Sequence, residues 1–105
     1  MQKYSVRILR PAWEELSQIE LWYLLKFDAD TAVKVSTSIL EAVERLGDHP
    51  DIGVLTPDEE LNSAGYRMVL SKYHGAIYKK TGRYIFIYHI FDMRRDYTRL
   101  FGDLR

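Results

Sequence analysis

The apolar period of this chain changes once, and that change dictates most of what it can fold into. Up to about residue 47, hydrophobic residues recur three and four apart, the spacing of one helical face. From residue 66 onward they alternate, or run together as β-branched and aromatic clusters, which is the pattern of strands. At 105 residues the chain suits one compact core, so helices and strands must bury their apolar faces on each other. With 47% hydrophobic residues there is enough apolar surface to do so, and intrinsic disorder is excluded.

Residues 4–9 alternate apolar and polar, reading as a short strand that Arg10-Pro11 stops. Pro11 cannot donate to a ladder but fits a first helical turn. A helix follows with the stripe Ala12, Leu16, Ile19, Tyr23 and Phe27, widened by Trp13, Leu24 and Leu25. Asp28 and Asp30 are capping residue types, and they open a second helix with Ala32, Val35, Ile39, Val43 and Leu46 on one face. Two amphipathic helices joined this tightly form an antiparallel hairpin. Residues 56–65 are polar and read as a surface loop or a short ragged helix. Strands are expected over 66–70, 76–80 and 84–91, with His74-Gly75 and Thr81-Gly82 as the turns. The last of these runs is apolar on both faces, the mark of a central strand covered twice. A basic tail from residue 93 can dock through Leu100 and Phe101. The expected fold is α+β: an N-terminal strand, then an antiparallel helical hairpin on a mainly antiparallel sheet of about four strands, then the tail. One domain spans 1–105.

The chemistry available is narrow. No cysteine is present, which excludes disulfides, thiolate nucleophiles and cysteine metal sites. His49, His74 and His89 stand 25 and 15 residues apart, a spacing that builds no metal site, so neither metal nor cofactor is expected. There is no nucleophile elbow, phosphate loop or dinucleotide fingerprint. No apolar run exceeds five residues, as over residues 21–25, against about 20 residues for a bilayer span. The opening Met1-Gln2-Lys3 is polar, and a cytoplasmic protein without membrane contact is the expectation.

Charge is where the sequence speaks loudest. Fifteen basic and fifteen acidic groups cancel overall. Residues 1–65 nevertheless carry six basic against twelve acidic groups, and residues 66–105 nine against three. Such segregation creates a local field, which reads either as acidic helices packed beside a basic sheet or as an anionic partner for the second half. Arg67, Lys72, Arg94, Arg95 and Arg99 are the candidate target-binding residues, since guanidiniums among aromatics suit phosphate contact and stacking. Lys79, Lys80 and Arg83 read as a solvated turn. Asp96 is expected to pair with a neighbouring arginine. Strand alternation points His89 with Ile85 and Ile87, as a hydrogen-bonded core histidine. At its turn, His74 is expected to be exposed and free to act as a base.

The order and spacing of several pieces resemble the RelE/ParE superfamily of type II toxin–antitoxin toxins. These are Ile8-Leu9-Arg10-Pro11-Ala12, the helical hairpin, His49-Pro50-Asp51-Ile52-Gly53, Gly65-Tyr66-Arg67, Ala76-Ile77-Tyr78 and the stretch from Ile87 through Arg94-Arg95-Asp96-Tyr97. The resemblance implies a growth-inhibiting toxin of the plasmid-stabilisation type, neutralised by a cognate antitoxin. Family toxins are either poisons of DNA gyrase or ribosome-dependent messenger RNA endonucleases. In the nuclease branch the RNA 2′-hydroxyl attacks its own phosphate without metal, which requires a base, an acid and cationic groups. Here the candidates for those roles are Arg67, His74, Arg95 and Tyr97. Val69 and Ala76 stand where that branch carries further basic residues, and the chain closes on Gly102-Asp103-Leu104-Arg105 rather than a terminal His or Tyr. Arg94-Arg95-Asp96 looks like the gyrase-directed branch. The expectation is therefore a non-nucleolytic gyrase poison; the alternatives are a messenger RNA endoribonuclease and a non-toxic binding module. The antitoxin is expected to dock an acidic segment, as an amphipathic helix or added strand, on a surface including Trp13, Trp22 and Tyr23.

Overall fold

A computed structural model describes residues 3–105; Met1 and Gln2 of the polar N-terminus lie outside it. The chain runs as strand β1 (Ser5–Ile8), helix α1 (Arg10–Lys26), helix α2 (Ala29–Glu44) and a 3-10 turn (Arg45–Gly47). Then come the short helix α3 (Glu59–Ser63), strands β2 (Tyr66–Ser71), β3 (His74–Thr81) and β4 (Tyr84–Asp92), and a C-terminal 3-10 helix (Thr98–Leu104). The architecture is α+β as expected, and the polar stretch after residue 56 resolves into α3, capped by the Asp58 carboxylate on the Glu60 and Leu61 N–H groups.

The sheet order is β1-β4-β3-β2, antiparallel except that β1 pairs parallel with β4. Both late hairpins have two-residue loops, Lys72-Tyr73 and Gly82-Arg83, and the first residue of each has a positive φ, 54° at Lys72 and 60° at Gly82. The turn therefore falls two residues before His74-Gly75, and His74 opens β3 instead of standing on a loop. Local composition pointed to the glycine; the register was set instead by Lys72 entering the left-handed region.

β4 is central and covered twice. On one face Ala12, Leu16, Ile39 and Val43 of the helices pack against Tyr78, Ile85, Ile87 and Ile90. On the other, Leu61 of α3 and Phe101 of the C-terminal helix close over Met68, Ile77 and Phe91. The Asp28 side chain accepts from the Thr31 N–H at 2.7 Å, so α2 begins at a true N-cap. α1 follows its stripe only halfway: Ala12 and Leu16 are buried, whereas Leu25 is 74% and Phe27 62% exposed. Its second half keeps Tyr23 against His74 but leaves Leu21, Leu24 and Leu25 exposed.

The β3/β4 register slips at Ile77/Tyr78, where Ile77 faces His89 and Tyr78 faces Ile87. Tyr88 is the residue left over, and the slip breaks the alternation that would have grouped His89 with Ile85 and Ile87. His89 is buried, but between two carboxylates instead of among aliphatic chains.

Candidate functional site

The site grows out of the place where β4 stops. At Asp92 the carboxylate Oδ1 accepts the N–H of Arg94 at 2.9 Å, a side-chain turn that ends the strand and swings the tail back. The second half of α1 stands opposite. Between them lies a groove of about 310 Å³. Gln18, Ile19, Trp22 and Tyr23 of α1 form one wall, and Arg95, Tyr97, Arg99 and Leu100 of the tail form the other. His74, Phe91 and Asp92 line it from the strand ends.

Three arginine-rich positions behave differently. Arg94 forks onto Asp92, with Nε–Oδ1 at 3.0 Å and Nη2–Oδ2 at 2.7 Å, and Nη2 also donates to the Tyr23 hydroxyl at 3.0 Å. Its guanidinium stacks 4.5 Å from the Tyr73 ring centroid. The Arg94 hydrogen bond holds the Asp92 carboxyl below the usual carboxylate range, so this pair stays ionised and neutralises itself. Arg95 lies over Trp22 at 5.9 Å and Arg99 is exposed on the C-terminal 3-10 helix. Among the described residues neither forms an ion pair. Asp96 does not pair with an arginine as anticipated; it accepts the Thr98 hydroxyl at 3.3 Å, leaving the two guanidiniums open.

The other sequence candidates fall into place around this groove. His74, Arg95, Tyr97 and Arg99 line it together, with Arg94 beside it on Asp92. Lys72 sits at the exposed tip of the β2–β3 turn and does not line the groove. Neither does Arg67, whose Nη1 is spent on the carbonyls of Asn62 at 3.0 Å and Tyr66 at 2.7 Å. His74 is 4% exposed, which corrects the expectation of an open base. Its Nε2 is sealed from solvent without a hydrogen-bond partner, 4.0 Å from Asp92 Oδ2. Burial drives its pKa down, against the pull of Asp92, so the ring is neutral. The Tyr97 ring lies flat on Phe91, centroids 4.7 Å apart and planes at 8°. Among the described residues no group of three or more His, Asp or Glu is arranged to hold a metal ion.

Sequence reading missed two contributors. Asp92 fixes Arg94, and the Asp92-Met93-Arg94 spacing is a signal for that turn. Glu15 accepts from the Ile90 N–H at 3.1 Å and from His89, contacts 75 and 74 residues apart that no local pattern announces.

Comparison with known proteins agrees with this architecture. A solved chromosomal ParDE TA system from P. aeruginosa superposes with a TM-score of 0.74 at 21% identity, covering 86% of this chain and 96% of that one. At that identity the likeness shows the fold. No protein of curated function matches in sequence. No helix among the described residues is long and apolar enough to cross a membrane. The family model for the ParE toxin of type II toxin-antitoxin system, parDE, matches residues 6–97, nearly the whole of the strand–hairpin–sheet unit. The chain therefore belongs to the ParE toxin family of type II toxin–antitoxin systems, within the RelE/ParE superfamily.

Proposed function

We propose that this toxin acts without cleaving nucleic acid, by seating the groove face bearing Arg95 and Arg99 on DNA gyrase, and that a cognate antitoxin blocks it in the resting state. One observation carries the reading: the groove offers two guanidiniums free of ion pairs beside Trp22 and Tyr97, while the histidine that lines it, His74, has its Nε2 sealed from solvent. A general base must reach the proton it removes within hydrogen-bond distance. His74 Nε2 is sealed, and Arg67 is committed to backbone carbonyls. Arginine and aromatic groups together, by contrast, are the residue types that anchor protein interfaces. Purified toxin is expected to inhibit supercoiling by gyrase and to accumulate cleaved DNA. Unimpeded supercoiling at high toxin excess would remove the reading.

A second reading is favoured by one fact, that His74, Arg95 and Tyr97 share the groove. A messenger RNA endonuclease would leave cuts at ribosomal A sites in a translating extract, visible by primer extension. The exposed apolar second half of α1, with Leu21, Leu24 and Leu25, and Phe27 just after it support an antitoxin partner that covers them. Growth arrest on induction, relieved by co-expressing the antitoxin, eliminates the non-toxic binding module.

A further inference from the structure

Both ring nitrogens of His89 face carboxylates. Nδ1 lies 2.9 Å from Glu15 Oε2 on α1, and Nε2 lies 3.0 Å from Asp103 Oδ1 on the C-terminal 3-10 helix. Ionised carboxylates only accept, so both bonds form together only when each ring nitrogen carries a proton, that is, as imidazolium. The ring itself is buried, whereas the Asp103 side chain is 61% exposed. The histidine thus links the sheet to both α1 and the C-terminal 3-10 helix.

Those two elements are the ones that matter for the candidate site. α1 carries Trp22, over which Arg95 lies, and the C-terminal helix carries Arg99. We propose that His89 is the positioning residue of this toxin: its charged ring clamps the C-terminal helix to α1 and so sets the spacing of the groove walls that present Arg95 and Arg99. The importance of that presentation rests on the reading given above; the clamp itself does not. Arg105, which donates to Asp58 of α3, holds only the far end of the same helix. Phe101 packs the helix onto the sheet, and His89 adds the polar tie to α1.

The charged surroundings are few. Glu15 and Asp103 are the charged groups acting on the ring, and β3 offers the uncharged Ile77 opposite. The hydroxyl-bearing Tyr66 stands near Asp103, with Tyr88 beside Tyr66. Burial works against the imidazolium, but the hydrogen bonds and charges of Glu15 and Asp103 outweigh it, so the His89 pKa is raised. The clamp is accordingly closed below about pH 6.5, the ordinary histidine value, and opens as pH rises through the raised value.

Nuclear magnetic resonance titration of the full chain, together with amide-exchange protection factors for residues 98–104, tests this without any target present. His89 is expected to titrate above pH 6.5, with protection of the C-terminal helix falling roughly fivefold across that transition, as for a pair with one wet partner. Asp103→Asn, at an exposed position, is expected to lower protection at pH 6 and to abolish its pH dependence; His89→Gln is expected to do the same. Titration of His89 at or below 6.5, or pH-dependent protection persisting in both variants, overturns the clamp. Failure of gyrase inhibition with the clamp intact would instead count against the function reading alone.

Discussion

Single side chains decide which charges the groove presents. Arg94 and Arg95 are adjacent in sequence, yet one is locked onto Asp92 and Tyr23 and the other is free beyond its contact with Trp22. Removing a fixed guanidinium leaves its partner behind, so Arg94→Ala should lower the unfolding midpoint through the stranded, largely covered Asp92 carboxylate. Chemical denaturation measures it. Arg95→Ala and Arg99→Ala touch no carboxylate and should leave the unfolding midpoint within about 0.5 kcal/mol of the parent. This division was half legible. The run of arginines after β4 marked the right place, but which guanidinium stays free depends on Asp92 reaching forward two residues, and on Tyr23 arriving from α1, 71 residues away. His74 was misread for a related reason: a lysine took the left-handed position that a glycine-containing turn suggested, and the histidine moved into the strand.

At the scale of elements, the caps and loop anchors hold the walls in place. Asp28→Ala removes the side-chain bond to the Thr31 N–H and should destabilise α2, lowering the urea unfolding midpoint, whereas Asp28→Asn or Asp28→Ser should largely keep it. The segment 50–53 is pinned by the buried Tyr78, whose hydroxyl donates to the Pro50 carbonyl at 2.8 Å and accepts the Gly53 N–H at 3.1 Å. A Cβ at Gly53 would meet the Tyr78 Cε1 at 2.7 Å and Cζ at 2.8 Å. That ring is too confined to step aside, so Gly53→Ala should cost about 1–3 kcal/mol by overpacking. An unchanged midpoint would mean the loop is not held as described. Sequence patterning located the helices and strands because their faces are periodic and local. It was silent on Tyr78 and Gly53, since a contact across 25 residues carries no period.

For the molecule as a whole, the two buried histidines pull stability in opposite directions with pH. The His74 pKa is lowered, so its contribution is present above about pH 6.5 and is lost as pH falls through the depressed value. The His89 pKa is raised, so its contribution is complete below about pH 6.5 and is lost as pH rises. Urea unfolding across pH should therefore flatten on the acid side in His74→Gln and on the alkaline side in His89→Gln; the same limb flattening in both would refute the assignment. The division of charge between the chain's halves also gains a physical form. Arg67 and Arg105 are bound internally, to Asn62 and Tyr66 carbonyls and to Asp58, and Arg94 to Asp92. On the groove face the guanidiniums without a carboxylate partner are Arg95 and Arg99, while Lys72, Lys79, Lys80 and Arg83 carry their charge away from the groove. The most direct test is the affinity of purified gyrase for the parent toxin and for the Arg95→Ala/Arg99→Ala double variant, at low and moderate salt. A loss of at least about tenfold, larger at low salt and without any change in unfolding midpoint, is the predicted outcome. Equal affinity at both salt concentrations would contradict it.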